Sequence, residues 1–138
     1  MTTVYLLDTN TVSTIVRGKS AAARAKLASL TEDEIACVSV ITEAEVRYGL
    51  ARTPQAHKLG AAVRGFLAKV KILPWGRQEA QVYGELRAKM ERAGKSLGNL
   101  DMLIAAQAIA AGAVLVSNDR AFLQIEGLLG VVSWAGDV

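Results

Sequence analysis

A disulfide is excluded at once, because Cys37 is the only cysteine in 138 residues. Its setting, Ile35-Ala36-Cys37-Val38, marks a small buried hydrophobe that carries no chemistry. Histidine is as scarce: His57 stands alone, in a polar stretch after Pro54, and reads as a solvated helix residue. Long apolar runs are missing as well. The longest, Ile104 to Val116, is broken by Gln107 and Gly112 and falls short of the roughly 20 residues that cross a bilayer, so no membrane span is expected. The first residues, Met1-Thr2-Thr3-Val4-Tyr5, lack the basic region and small-residue cleavage site of a signal peptide, and the expected location is the cytoplasm. Aromatic residues make up only 5% of the chain. No internal repeat, linker or low-complexity segment is evident.

What is present is aliphatic and alternating. Hydrophobic residues account for 51% of the sequence, enough for a substantial core in a chain of one-domain length, so a single domain over 1–138 is expected. Val4-Tyr5-Leu6-Leu7 is a short apolar run that stops at Asp8, and Thr9-Asn10-Thr11 offers capping residues for a helix through Val16. After Gly18-Lys19-Ser20 comes an Ala-rich helix, Ala21 to Leu30, then an apolar strand, Ile35 to Ile41. Thr42-Glu43-Ala44-Glu45 fits a capping box in which Thr42 caps and Glu45 reaches back, opening a helix through Leu50 and leaving Glu43 free. Leu59, Val63, Phe66, Leu67 and Val70 recur at helical spacing. Ile72-Leu73-Pro74-Trp75 suits only an edge strand, because Pro74 cannot donate to a ladder. Gln78 to Ala93 is a long helix ended by Gly94. Asn99 or Asp101 opens the helix Met102 to Ala111, which closes at Gly112, and Ala113 to Ser117 and Val131 to Trp134 are the last strands. Strands alternating with helices predict an α/β domain, a mostly parallel sheet flanked by helices.

Three acids stand where a strand gives way to a loop or helix: Asp8, Glu43 and Asp119. Ligands of open α/β sheets gather outside the carboxyl ends of the strands, so these side chains are expected to converge there, joined by Asp101 at a helix start. Taken singly, each has an ordinary reading as a cap or turn residue. Taken together, they form a cluster that resists ionisation unless a cation compensates. An all-oxygen set suits Mg²⁺ or Mn²⁺, and such a site can hydrolyse a phosphodiester without histidine. The net charge of +3, with Lys and Arg concentrated between Arg47 and Lys95, permits a polyanionic partner.

Leu6-Leu7-Asp8-Thr9-Asn10, Ser39 to Gly49 with Glu43-Ala44-Glu45-Val46-Arg47-Tyr48, Gly98-Asn99-Leu100-Asp101-Met102-Leu103-Ile104-Ala105-Ala106, and Leu115-Val116-Ser117-Asn118-Asp119 resemble, in order, the successive motifs of PIN-domain proteins of the VapC toxin subfamily. The resemblance implies a PIN-like three-layer fold and an endoribonuclease dependent on Mg²⁺ or Mn²⁺. It also implies neutralisation by a VapB-type antitoxin whose C-terminal segment places a basic side chain in the acidic pocket, and a homodimer that assembles into a hetero-oligomer with that antitoxin. Asp8, Glu43, Asp101 and Asp119 match the family's acidic metal positions, and Thr9, Asn10, Ser117 and Asn118 match the polar positions around them. One departure is Ala121, where many members carry a bulkier polar residue.

Other signals carry less. Gly94-Lys95-Ser96-Leu97-Gly98 matches a nucleophile elbow in letters, but a helix and not a strand precedes it. The P-loop endings Gly18-Lys19-Ser20 and Gly94-Lys95-Ser96 lack the earlier glycine. Trp75 and Trp134 lie beside short strands, where packing is expected rather than base stacking. A phosphotransferase of the haloacid dehalogenase type would place a second aspartate where this chain has Asn10. A catalytically silent binding module would not need all four acids.

Overall fold

The computed structural model describes residues 1–135, and the expected span of 1–138 therefore runs past it by residues 136–138. The elements in chain order are β1 (Thr3–Leu7), α1 (Thr9–Val16), α2 (Ala21–Ala28), β2 (Glu34–Ser39), α3 (Val40–Arg52), α4 (His57–Lys69), β3 (Lys71–Leu73), α5 (Arg77–Arg92), α6 (Asn99–Ala111), β4 (Val114–Val116), a 3₁₀ turn (Arg120–Gln124) and β5 (Val131–Val132). The strands form one five-stranded sheet in the order β3-β2-β1-β4-β5, and every pairing is parallel. The expected α/β class holds.

The centre of the sheet is apolar on both sides, as a parallel strand covered by helices must be. Leu6 and Leu7 are fully buried and, being consecutive, point to opposite faces. Leu6 packs with Cys37, Leu115, Phe122 and the helix residues Leu86, Met90, Ile104 and Ala105. Leu7 packs with Val38, Val116, Val12, Ile15, Val63, Phe66 and Trp134. Two cores on two faces make the three layers, with α5 and α6 on one side and α1 and α4 on the other. Cys37 is buried, His57 is exposed, and Trp134 packs edge-on to Tyr5 at 5.3 Å between ring centroids, all as their settings imply.

Several boundaries move. The second strand stops at Ser39, two residues before its expected end, and Ser39 itself caps α3 by accepting from the Ile41 amide. The Thr42–Glu45 capping box is therefore absent: Thr42 lies inside the helix, almost fully buried. Val40 and Ile41 prolong the apolar run, and nothing in periodicity separates a buried strand from the helix turn that follows it. Asp8, and not the residues after it, caps α1. The helix α6 starts at Asn99, so Asp101 sits within its first turn. Gly94 (φ +70°) and Gly112 (φ +61°) take the left-handed conformation just past α5 and α6, the position where glycine costs least. The last strand is reduced to Val131–Val132.

Two polar contacts fix α6 against the β3–α5 connection. The Trp75 indole N–H donates to the Leu103 carbonyl at 3.0 Å, and Gln107 Nε2 donates to the Pro74 carbonyl at 2.8 Å. These contacts hold the helix that carries Asp101 beside the edge strand.

Leu115 is fully buried in the central layer. Leu115→Ala is expected to lower the free energy of unfolding by about 2–5 kcal/mol, the transfer and cavity cost of a leucine in a well-packed core. Urea titration should show a lower midpoint with an unchanged slope; a loss under about 1 kcal/mol would contradict this description of the core.

Candidate active site

The strand order changes direction once. From β1 the chain moves outward to β2 and β3, then returns to the opposite side of β1 for β4 and β5. The switch point lies between β1 and β4, and the crevice outside the carboxyl ends of these strands is where a ligand site is expected. Asp8 directly follows β1 and Ser117 directly follows β4.

These two residues meet. Ser117 Oγ donates to Asp8 Oδ2 at 2.6 Å, and Ser117 Oγ itself accepts from the Asp119 amide at 2.9 Å. Asp8 Oδ1 accepts from the Thr11 amide at 2.8 Å, capping α1. The Asp8 carboxylate is only 2% exposed, and its two hydrogen bonds hold it in one orientation. The backbone adds a third tie, since the Asp8 amide donates to the Val116 carbonyl at 3.0 Å and Thr11 Oγ1 donates to the same carbonyl at 3.1 Å. Asp8 is thus a helix cap and a member of the acidic edge at once; its two readings describe one geometry.

Asp119 caps the 3₁₀ turn by accepting from the Ala121 amide at 2.9 Å and leaves its side chain at the exposed rim. Asp101 is partly buried in the first turn of α6. Its carboxyl is pushed above the ordinary value, first by burial, then by the charge of Asp8 and that of Asp119. Asp8 and Asp119, distant in sequence, are therefore both close enough to act on Asp101 across the switch point. Glu43 stands apart. It is in the first turn of α3, and its Oε2 is held by Arg47 through both Nε and Nη2 at 2.7 Å.

The polar residues around the acids divide similarly. Thr9 Oγ1 lies 3.1 Å from Thr42 Oγ1, tying α1 to α3. Asn118 Oδ1 accepts from Ser133 Oγ, which places the Ser117–Asp119 turn against the segment after β5. Asn10 is exposed on α1. Thr42 is the neighbour that the sequence did not single out. Its assignment as a helix cap hid its role, and a buried threonine on a helix facing another threonine leaves no local pattern.

Among the described residues, no three His, Cys, Asp or Glu side chains stand poised to hold one metal ion. Both Asp8 oxygens are engaged by protein donors, and Glu43 is engaged by Arg47. The donor chemistry nonetheless fits a hard divalent cation. All candidate donors are oxygens, like charge accumulates on Asp101, and among the described residues no Lys or Arg forms an ion pair with Asp8, Asp101 or Asp119. Mg²⁺ needs few protein ligands because it keeps several of its waters. A cavity of about 850 Å³ lies elsewhere: its lining includes Arg24, Leu27, Glu34, Phe66, Lys69 and Lys71 and none of the four acids.

An all-parallel sheet with carboxylates at its switch point defines a class of protein, and the family model described as PIN domain matches residues 5–128. Ribonuclease VapC2 of Rickettsia felis is 31% identical over 127 residues, covering 91% of this chain and 95% of the relative. The tRNA(fMet)-specific endonuclease VapC of Shigella flexneri is 29% identical over 125 residues, covering 90% and 93%. Among solved structures, VapBC2 from Rickettsia felis bound to a DNA fragment from its promoter contains a chain that aligns with a TM-score of 0.88 at 30% identity, covering 95% of this chain and 98% of that one. DNA-bound VapBC from Salmonella typhimurium gives 0.86 at 31% identity, with 97% and 99% covered. The chain belongs to the PIN-domain family, in its VapC ribonuclease branch. Ribonucleases of this family depend in general on a divalent metal. The haloacid dehalogenase reading and the silent binding module gain no support.

Two outcomes follow. Because the folded state raises the Asp101 pKa, its contribution to stability falls as pH rises from the unfolded carboxyl value through the folded one. Removing the charge relieves this penalty, so metal-free Asp101→Asn should melt above the parent at pH 7. The same variant should lose the rise in melting temperature that millimolar Mn²⁺ gives the parent. An Asp101→Asn protein that melts lower and still responds to Mn²⁺ would contradict the coupling. Ser117→Ala deprives a buried carboxylate of its donor and the Asp119 amide of its acceptor, and should destabilise by about 1–3 kcal/mol in chemical denaturation; a neutral effect would show that the hydroxyl is not holding the two segments together.

Proposed function

We propose that this chain is the toxin of a type II toxin–antitoxin pair and cuts RNA internally, with Mg²⁺ or Mn²⁺ held by Asp8, Asp101, Asp119 and Glu43. The observation that carries the reading is the charge on Asp101: burial and two neighbouring carboxylates oppose its ionisation, and no protein cation relieves them among the described residues. A divalent ion held by these carboxylates would neutralise the cluster and would supply water activation and charge compensation for phosphodiester hydrolysis. The chain's own part is orientation. Ser117 and the first turn of α1 hold Asp8 at a fixed angle, Asp119 is fixed as the cap of its turn, and α6 presents Asp101. Glu43 completes the set by exchanging Arg47 for the ion, and Thr9, Asn10, Ser117 and Asn118 support the acids from the side. The relatives named ribonuclease and tRNA(fMet)-specific endonuclease favour RNA as the substrate.

The VapBC complexes among the similar structures favour a VapB-type antitoxin as partner, a hetero-oligomer as the resting form, and a basic antitoxin side chain over the acidic edge. A homodimer of this chain and a cytoplasmic location belong to the same reading. No helix of the described residues is long and apolar enough to cross a membrane.

Asp8→Asn is the decisive variant, because the amide keeps the capping oxygen and removes the charge. In a gel assay with bulk tRNA and Mg²⁺, the parent should cut and Asp8→Asn should be slower by at least about 100-fold, equivalent to about 2.7 kcal/mol of transition-state stabilisation. EDTA should stop the parent. Equal cleavage by both proteins, or parent activity unaffected by EDTA, would overturn the proposal.

A further inference from the structure

Beside the acidic edge runs a second, smaller groove, about 220 Å³, between α1, α3 and α4, lined among others by Thr9, Ser13, Arg17, Glu45, Tyr48 and Arg52. It begins next to the site already described, because Thr9 immediately follows Asp8. Thr9, Ser13 and Arg17 are spaced four residues apart and so lie in one row along α1. Arg17 Nε donates to Ser13 Oγ at 3.2 Å, which steadies the guanidinium while leaving its terminal N–H groups outward. On the facing wall Tyr48 is 59% exposed, and Arg52 lies over its ring at 5.0 Å from the centroid. Among the described residues neither Arg17 nor Arg52 forms an ion pair.

We infer that this groove is the track along which single-stranded RNA leaves the cleavage site, a reading that rests on the ribonuclease activity proposed above. Two unpaired guanidiniums on the rim fit phosphate oxygens, which arginine meets in a planar, bidentate fashion. The exposed Tyr48 ring beneath Arg52 is a stacking platform of the kind that holds unpaired bases without reading sequence. Hydroxyls of Thr9 and Ser13 line the row between the acids and Arg17. Glu45, on the groove wall, confines the phosphates to the rim. From Thr9 to Arg17 the row measures about 12 Å at the helical rise per residue, against about 3.4 Å per nucleotide in a stacked strand. More than one nucleotide beyond the cut therefore contacts the protein. The groove also carries apolar residues, Val16, Val46, Leu50, Leu59 and Val63; the two unpaired guanidiniums and the hydroxyls beside them favour RNA over a protein segment.

The test is the double variant Arg17→Gln/Arg52→Gln, assayed with bulk tRNA and Mg²⁺ over a range of salt, with Mn²⁺ binding measured by calorimetry. KM should rise at least about fivefold while kcat stays within about twofold. The dependence of log KM on log salt should flatten by about 1.4, the amount two lost single-strand phosphate contacts predict. Mn²⁺ affinity should match the parent, because neither arginine touches the acids. Tyr48→Ala should raise KM at least about fivefold with no change in salt slope, which separates stacking from charge. A parent that does not cut RNA would defeat the proposed function itself. A parent that cuts while the double variant keeps the parental KM and salt slope would overturn the groove alone, including the case in which that variant loses only antitoxin affinity and the groove proves to be a protein-docking surface.

Discussion

The hydroxyl of Ser117 joins the two halves of the molecule. Asp8 follows β1 and the turn that carries Asp119 follows β4, so the two segments flanking the switch point meet at this hydroxyl. Ser117 donates to the first and accepts from the second. A carboxylate buried at 2% exposure would be expensive on its own. Here each oxygen has a donor, one from the start of a helix and one from a hydroxyl, so the charge is held without a cation. That leaves the neighbouring Asp101 to carry the unfavourable part of the arrangement.

The site therefore separates two tasks. Asp8 and Asp119 are anchored by hydrogen bonds that also cap a helix and a 3₁₀ turn, and their positions are set by folding. Asp101 and Glu43 are the adjustable members, one by burial and repulsion, the other by a surface ion pair with Arg47 of a kind that contributes little to stability. In the proposed reading, the anchored pair organises the site before an ion arrives, and the repulsion on Asp101 favours accepting one.

Much of this was legible from the chain. Asp8 and Asp119 follow apolar runs short enough to be buried strands, and the rule for open α/β sheets brings such ends together. Asp101 is marked by its place at the start of an Ala-rich helix closed by Gly112. What the sequence concealed lies where one apolar run serves two structures. Cys37 to Ile41 reads as continuous strand, whereas the ladder stops at Ser39, where the serine hydroxyl accepts from the Ile41 amide and caps α3. The error displaced the cap to Thr42 and hid its contact with Thr9. The Glu43–Arg47 pair was equally hidden: four-residue spacing permits it, but only the fold shows that Arg47 engages Glu43. The row of Thr9, Ser13 and Arg17 was not singled out in the sequence, and it gained meaning only when Tyr48 and Arg52 appeared across from it.

The sheet ends on both sides in very short strands, three residues in β3 and two in β5, with Pro74 directly after the first. Unpaired strand margins are templates on which other polypeptides polymerise. Margins this brief offer too few free backbone groups for a foreign segment to zip onto. Strand-on-strand assembly between copies of this chain therefore has little backbone from which to start.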